Sequence, residues 1–178
     1  MNMTPRILIA GIGNIFFGDD GFGVEVARRM AGRPWPESVR VVDFGIRGFD
    51  LTFALLEDHD AVILVDAVPR GGVPGTLYVI EPEPEPGEPE PGEMLIDPHA
   101  LDPARVLRTV KALGGKSRRI LLVGCEPTPI RDDEDIAPGL SEPVASAVDE
   151  AIAIIESLVK DIQEGVSREA APSASLNP

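Results

Sequence analysis

Ile7 to Ala10 after Arg6, Ala61 to Val65, and Ile120 to Val123 are short uninterrupted apolar runs, each bounded by charged residues or glycine. Short runs of this kind are the pattern of strands covered on both faces. Elsewhere the apolar positions return every three or four residues, as in Phe22, Val26 and Met30, and again in Val144, Val148, Ile152, Ile155 and Val159 behind Ser141. That spacing predicts amphipathic helices, the second opened by a serine cap. A second strand is expected over Ser38 to Asp43 and a short helix over Phe49 to Glu57. Asp102-Pro103 reads as a cap and first helical residue, leading through Val106, Leu107, Val110 and Leu113 to Gly114-Gly115, with Asp97-Pro98 as a start one turn earlier. Thr76 to Ile80 follows the Ala61 strand through a turn-rich stretch too short for a crossover helix, so this strand should run antiparallel. Strands alternating with helices predict an α/β three-layer sandwich: a mainly parallel twisted sheet of about five strands, one of them antiparallel, with helices on both faces.

Composition narrows the picture. A chain of 178 residues fits one domain, expected over residues 1–162, and with one Trp, one Tyr and six Phe its core must be aliphatic. Residues 81–93 read EPEPEPGEPEPGE, six glutamates and five prolines, which is expected to form a solvated extended loop. Residues 163–178 lose the apolar period and are expected to be a disordered tail. No apolar run reaches membrane-spanning length and no signal-peptide pattern follows Met1, so a cytoplasmic protein without a membrane partner is expected. A net charge of -14 repels phosphate backbones and makes nucleic acid a poor partner. The lone Cys125 can form no internal disulfide and is expected to be a small buried hydrophobe.

In an open α/β sheet, ligands bind beyond the carboxyl ends of the strands. Those ends are acidic here. The first strand is followed by Gly11-Ile-Gly-Asn-Ile-Phe-Phe-Gly-Asp-Asp-Gly-Phe-Gly23, the second closes on Asp43 and the third on Asp66. A dinucleotide fingerprint fails at Phe16, where the third glycine would stand, and Asp19 and Asp20 occupy the helix start that a pyrophosphate would need positive. No Gly-Lys-Ser/Thr marks a P-loop, and no organic cofactor is implied. Two aspartates on separate strand ends with one histidine suggest a divalent metal site for zinc or nickel. Of the two histidines, His59 lies in the polar turn Glu57-Asp-His-Asp60 and is expected to be exposed, whereas His99 lies in Ile96-Asp-Pro-His99 before a helix.

The Gly11–Gly23 motif, taken with Leu64-Val-Asp66-Ala and Asp97-Pro-His99 in that order, resembles the maturation endopeptidases of nickel-iron hydrogenases. These remove a C-terminal extension from the hydrogenase large-subunit precursor once nickel is installed. The resemblance implies that Asp20, Asp66 and His99 bind the metal, with the nickel supplied by the substrate, and that the same residues carry the chemistry. The family has Glu or Asp at the first of these places, and Asp19 is the neighbouring alternative. Asp43-Phe-Gly-Ile-Arg-Gly48 stands where members carry a glycine-rich substrate-selecting loop, so Asp43, Gly45, Arg47 and Gly48, together with Asn14, are expected to meet the substrate. On this reading the metal fixes the scissile peptide against an attacking water, and a base role for Asp20 or Asp66 is the alternative. A non-proteolytic metal-dependent binding protein or chaperone for the same precursor would use the same ligands.

Overall fold

The computed structural model describes residues 4–81, 103–115, 119–130 and 137–165. Five strands, β1 (Ile7–Ile12), β2 (Val39–Gly45), β3 (Ala61–Ala67), β4 (Leu77–Ile80) and β5 (Arg119–Cys125), form one sheet in the order β2-β1-β3-β5-β4. All neighbours are parallel except β4, which runs antiparallel to β5, as the short connection from β3 requires. Four helices complete the described chain: α1 (Phe22–Ala31), α2 (Gly48–Leu56), α3 (Pro103–Ala112) and α4 (Glu142–Gln163).

The sheet divides the core in two. One face buries Ile7, Ile9, Ile63, Val65, Leu121 and Val123 against Phe22, Val26 and Met30 of α1 and the Val144–Val159 stripe of α4. The other buries Leu8, Ala10, Val62, Leu64 and Leu122 against Leu51 and Leu55 of α2 and Val110 of α3. Because side chains alternate along a strand, a run such as Ile7-Leu-Ile-Ala serves both clusters at once. Cys125 is fully buried in the first cluster, and burial pushes its thiol up to about 12.

Two strands run past the ends expected for them. β2 continues to Gly45 because β1 shifts register between Gly11, opposite Asp43, and Ile12, opposite Gly45. β3 continues to Ala67, so Asp66 sits inside the ladder, opposite Gly124 of β5. The expected acidic segment after Glu81, the Asp97-Pro98 start, His99 and the Asp102 cap lie outside the described residues, as does the tail beyond Gly165. Among the described residues, no helix is long and apolar enough to cross a membrane.

His59 departs from expectation. Its turn is polar, yet the side chain is only 3% exposed. The Asp60 carboxylate accepts the Arg6 N–H at 2.9 Å and the Asp60 N–H reaches the Arg6 carbonyl, so the turn is drawn onto the start of β1 and the imidazole is folded beneath it. Among the described residues Nδ1 has no hydrogen-bond partner, and burial lowers the imidazole pKa from 6.5. A lowered histidine pKa means that below about pH 6.5 the unfolded chain takes up a proton which the native state refuses, so stability falls on that side. Replacing His59 by Leu removes this term. Its urea midpoint, relative to the parent, should rise between pH 7 and pH 5, and a pH-independent difference would contradict the assignment.

Candidate active site

The strand order reverses between β1 and β3, and beside this point a crevice opens at the carboxyl edge of the sheet, where the β1–α1 connection, the end of β3 and the chain after β5 come together. Two glycines bring the acids of the first motif to this point. A Cβ on Gly23 would strike the carbonyl oxygens of both Val65 and Ile12, so only glycine lets the first turn of α1 lie directly across the ends of β1 and β3. Gly13, at φ +130°, lies with its Cα against the Asp20 carbonyl in the same way. The tight 3-10 turn Gly18–Gly21 is thereby pressed down over the end of β3, where Asp66 stands.

Asp20 and Asp66 meet in this crevice. Asp20 is half-buried, and its Oδ2 accepts the Asn14 N–H at 2.7 Å. Asp66 is 5% exposed, and its Oδ1 accepts the N–H of the next residue, Ala67, at 2.8 Å. Burial, and after it the negative charge of Asp20, push the Asp66 carboxyl well above the usual carboxylate range, and the Ala67 N–H offsets only part of that. Two facing carboxylates of this kind are relieved by a proton or by a divalent cation held between them, and their oxygens are the donors such a cation accepts. Among the described residues, no set of three His, Cys, Asp or Glu side chains gathers to hold a metal by itself. The third ligand implied by the resemblance, His99, lies outside the described residues.

The pair opens into a cleft of about 790 Å³. One wall is Phe17 to Asp20, another is Pro127 to Ile130, and a third is Ala137 to Ser141. Much of the lining is apolar, with Phe17 and Ile130 well exposed at 50% and 61%. The cleft thus offers two carboxylates at its floor and apolar surface for side chains around them, a form suited to an extended peptide.

The other residues expected at the site fall into two groups. Asn14 ties down the first loop, its Oδ1 accepting the Phe16 N–H at 3.0 Å while its own N–H holds Asp20. Asp43 and Gly45 end β2, Gly48 opens α2 and Arg47 lies in the turn between them, a segment joined to the first loop through the Gly13 N–H and the Gly45 carbonyl at 3.1 Å. Arg47 closes that turn by donating to the carbonyls of Asp43 and Phe44, and pairs with Asp50. The Asp43 carboxylate pairs with Arg28 at 3.3 Å. Asp43 therefore shares the sheet edge with Asp66 but not the cleft: Val65 and Asp43 pair with opposite sides of Gly11, two strand spacings apart.

Two further carboxylates hold the loops around the cleft together. Asp19 joins the 3-10 turn to Thr128 and Ser141, accepting the Thr128 N–H at 2.8 Å and the Ser141 N–H at 2.6 Å. Its burial opposes ionisation, but the hydrogen bonds from Thr128 and Ser141 outweigh it and hold its pKa below the usual value. Glu126 accepts the N–H groups of Arg70 and Gly71 and the Tyr78 hydroxyl at 2.7 Å, fastening the turn between β3 and β4 to the end of β5. The signal for Glu126 is an acid directly after an apolar strand, the same signal that marks Asp66.

Comparison with known proteins follows the same contour. The family model described as hydrogenase maturation protease matches residues 24–158. A Methanocaldococcus jannaschii protein provisionally named as a hydrogenase maturation protease is 38% identical over 155 residues, which cover 86% of this chain and 96% of that protein. The structure of the hydrogenase-maturating endopeptidase HybD from Escherichia coli superposes with a TM-score of 0.70 at 25% identity, over 88% of this chain and 93% of that one. The [NiFe] hydrogenase maturation protease HycI from Thermococcus kodakarensis gives a TM-score of 0.67 at 27% identity, over 89% and 95% of the two chains.

Proposed function

Because the chain belongs to the hydrogenase maturation protease family and is accordingly a peptide hydrolase, we propose that it removes the C-terminal extension of a nickel-iron hydrogenase large-subunit precursor after nickel insertion, and that it does so by recognising the nickel the precursor carries. The observation that supports this reading is the Asp20–Asp66 pair at the floor of a peptide-sized cleft. Two carboxylates forced together in a buried place are poor partners for each other and good partners for a divalent cation.

In this reading the nickel belongs to the substrate. Asp20 and Asp66 approach it from the protein side, and His99 completes the set by the family resemblance. The bound metal fixes the scissile peptide in the cleft and polarises its carbonyl. Water adds to the carbonyl carbon, the C–N bond breaks, and the departing nitrogen takes a proton as the extension leaves. Without nickel the peptide is neither held nor polarised, so cleavage waits for correct loading. The loop Asp43–Gly48, with Asn14 in the adjoining turn, lies along the same sheet edge, where it meets the body of the precursor and contributes to choosing it.

The test is the intact mass of a cognate large-subunit precursor, nickel-free and nickel-loaded, after incubation with the protein. Loss of a C-terminal peptide from the loaded form alone is expected. Equal cleavage of both forms would overturn nickel recognition, and an unchanged mass of the loaded form would overturn the proposed substrate.

A further inference from the structure

The Asp19 carboxylate is buried, and three donors converge on it: the Thr128 N–H, the Ser141 N–H and the Ser141 hydroxyl at 2.9 Å. The Thr128 and Ser141 hydroxyl oxygens are themselves 2.8 Å apart, which closes the network. The three segments it joins, the 3-10 turn and the chain around Thr128 and Ser141, are the three walls of the cleft. Ser141 stands at the cap position of α4, where it makes no side-chain bond to that helix's free N–H groups and its hydroxyl donates to Asp19. Asp20 follows Asp19 within the same four-residue turn, where the Asp20 N–H donates to the Phe17 carbonyl at 3.1 Å, so whatever fixes Asp19 also fixes Asp20.

We infer that Asp19 is a positioning residue of the peptide-cleaving site: by clamping the 3-10 turn to the two opposing loops, it sets the place of Asp20 relative to Asp66 and the width of the cleft. This rests on the endopeptidase function proposed above. A carboxylate is the group that accepts three converging donors with two oxygens. Asparagine of the same size has one acceptor oxygen and turns an NH₂ toward the remaining donors, so the clamp opens without a change in side-chain volume.

The experiment is steady-state cleavage of the nickel-loaded precursor by the full chain, with Asp19→Asn and Ser141→Ala beside the parent, and thermal unfolding of each protein. A displacement of the reacting groups approaching one ångström costs on the order of 10²-fold. Asp19→Asn should lose about that much in kcat per folded molecule, with KM little changed, since capture of a large precursor is spread over a wider surface. Ser141→Ala keeps both N–H donors and should lose only a few-fold, again in kcat. A merely structural role would lower the unfolding temperature of both variants and leave kcat per folded molecule at the parental value, and that result would overturn the inference. If Asp19→Asn does not fold, parental kcat in Ser141→Ala overturns it alone. Failure of the parent to cleave loaded precursor would count against the endopeptidase reading and is recognised separately, in the absence of any variant.

Discussion

Asp66→Asn and Asp20→Asn should each lower cleavage of the loaded precursor by about 10³-fold or more, the scale of losing a central catalytic group. The two variants should differ in stability. Asp66 is buried with Asp20 facing it, and its carboxyl pKa is raised. A raised carboxyl pKa means that ionisation opposes folding. The penalty is absent below the ordinary value near 3.8, grows as pH rises through the interval up to the native value, and is fully present above it. Asparagine carries no such penalty, so at pH 7 the metal-free Asp66→Asn protein should unfold several degrees above the parent. Asp20→Asn also relieves Asp66 of a neighbouring charge, but it weakens the acceptor for the Asn14 N–H, so its stability should change less. An enzyme that becomes more stable and inactive together is the mark of a site whose charges serve a ligand rather than the fold. Parental activity in both variants would remove these residues from the site, and an Asp66→Asn protein less stable than the parent would contradict the electrostatic account.

The largest stability effect is expected at Gly23. A methyl group there meets two main-chain carbonyls, those of Val65 and Ile12, which belong to the central strands and cannot swing aside as a side chain would. Gly23→Ala should cost upward of about 3 kcal/mol, at or above the usual range for overpacking. On a domain of marginal stability this leaves a poorly populated native state. Gly32→Ala is the control, since its nearest neighbour is the Arg29 carbonyl at 3.9 Å and its backbone is ordinary right-handed helix. It should be neutral or slightly stabilising by about 0.5 kcal/mol. The two urea midpoints measured side by side decide the point. Gly23→Ala should also reduce activity beyond its loss of folded protein, because relief of the clash lifts the start of α1, and Asp20 with it, away from Asp66.

Most of the architecture was legible because it is written in local patterns. Ile7–Ala10, Ala61–Val65 and Ile120–Val123, short and bounded by charged residues or glycine, read as strands buried on both faces, the three- and four-residue spacing set α1 and α4, and the brevity of the link before Leu77 fixed the direction of β4. Acids that follow strands gather at one edge of a parallel sheet, which put Asp66 and the Asp19–Asp20 pair among the candidates, while the choice of Asp20 over Asp19 came from the family resemblance. What escaped is non-local. The partners of Asp19 are 109 and 122 residues distant, so no window along the sequence contains the clamp, and Ser141 looked like an ordinary helix cap until its hydroxyl was found facing another segment. His59 misled in the opposite direction: three acidic neighbours suggested solvent, while the pairing of Asp60 with Arg6 turned the imidazole inward. Asp43 stands on the same edge two strand spacings away and outside the cleft lining, so the edge alone does not say which acids share the cleft.

The burial of Cys125 has a practical side. Its sulfur is enclosed between β5 and the α4 face, the thiol reaches the Glu126 carbonyl at 3.8 Å, and a thiol titrating at about 12 contributes almost no thiolate at neutral pH. It is also the sole cysteine of the chain. A cysteine placed at Ile130, on the exposed rim of the cleft, would thus be the only sulfur to react with a maleimide, with no need to mutate the native one. A fluorophore or spin label attached there would report directly on what enters and leaves the cleft, which makes the protein its own labelling scaffold.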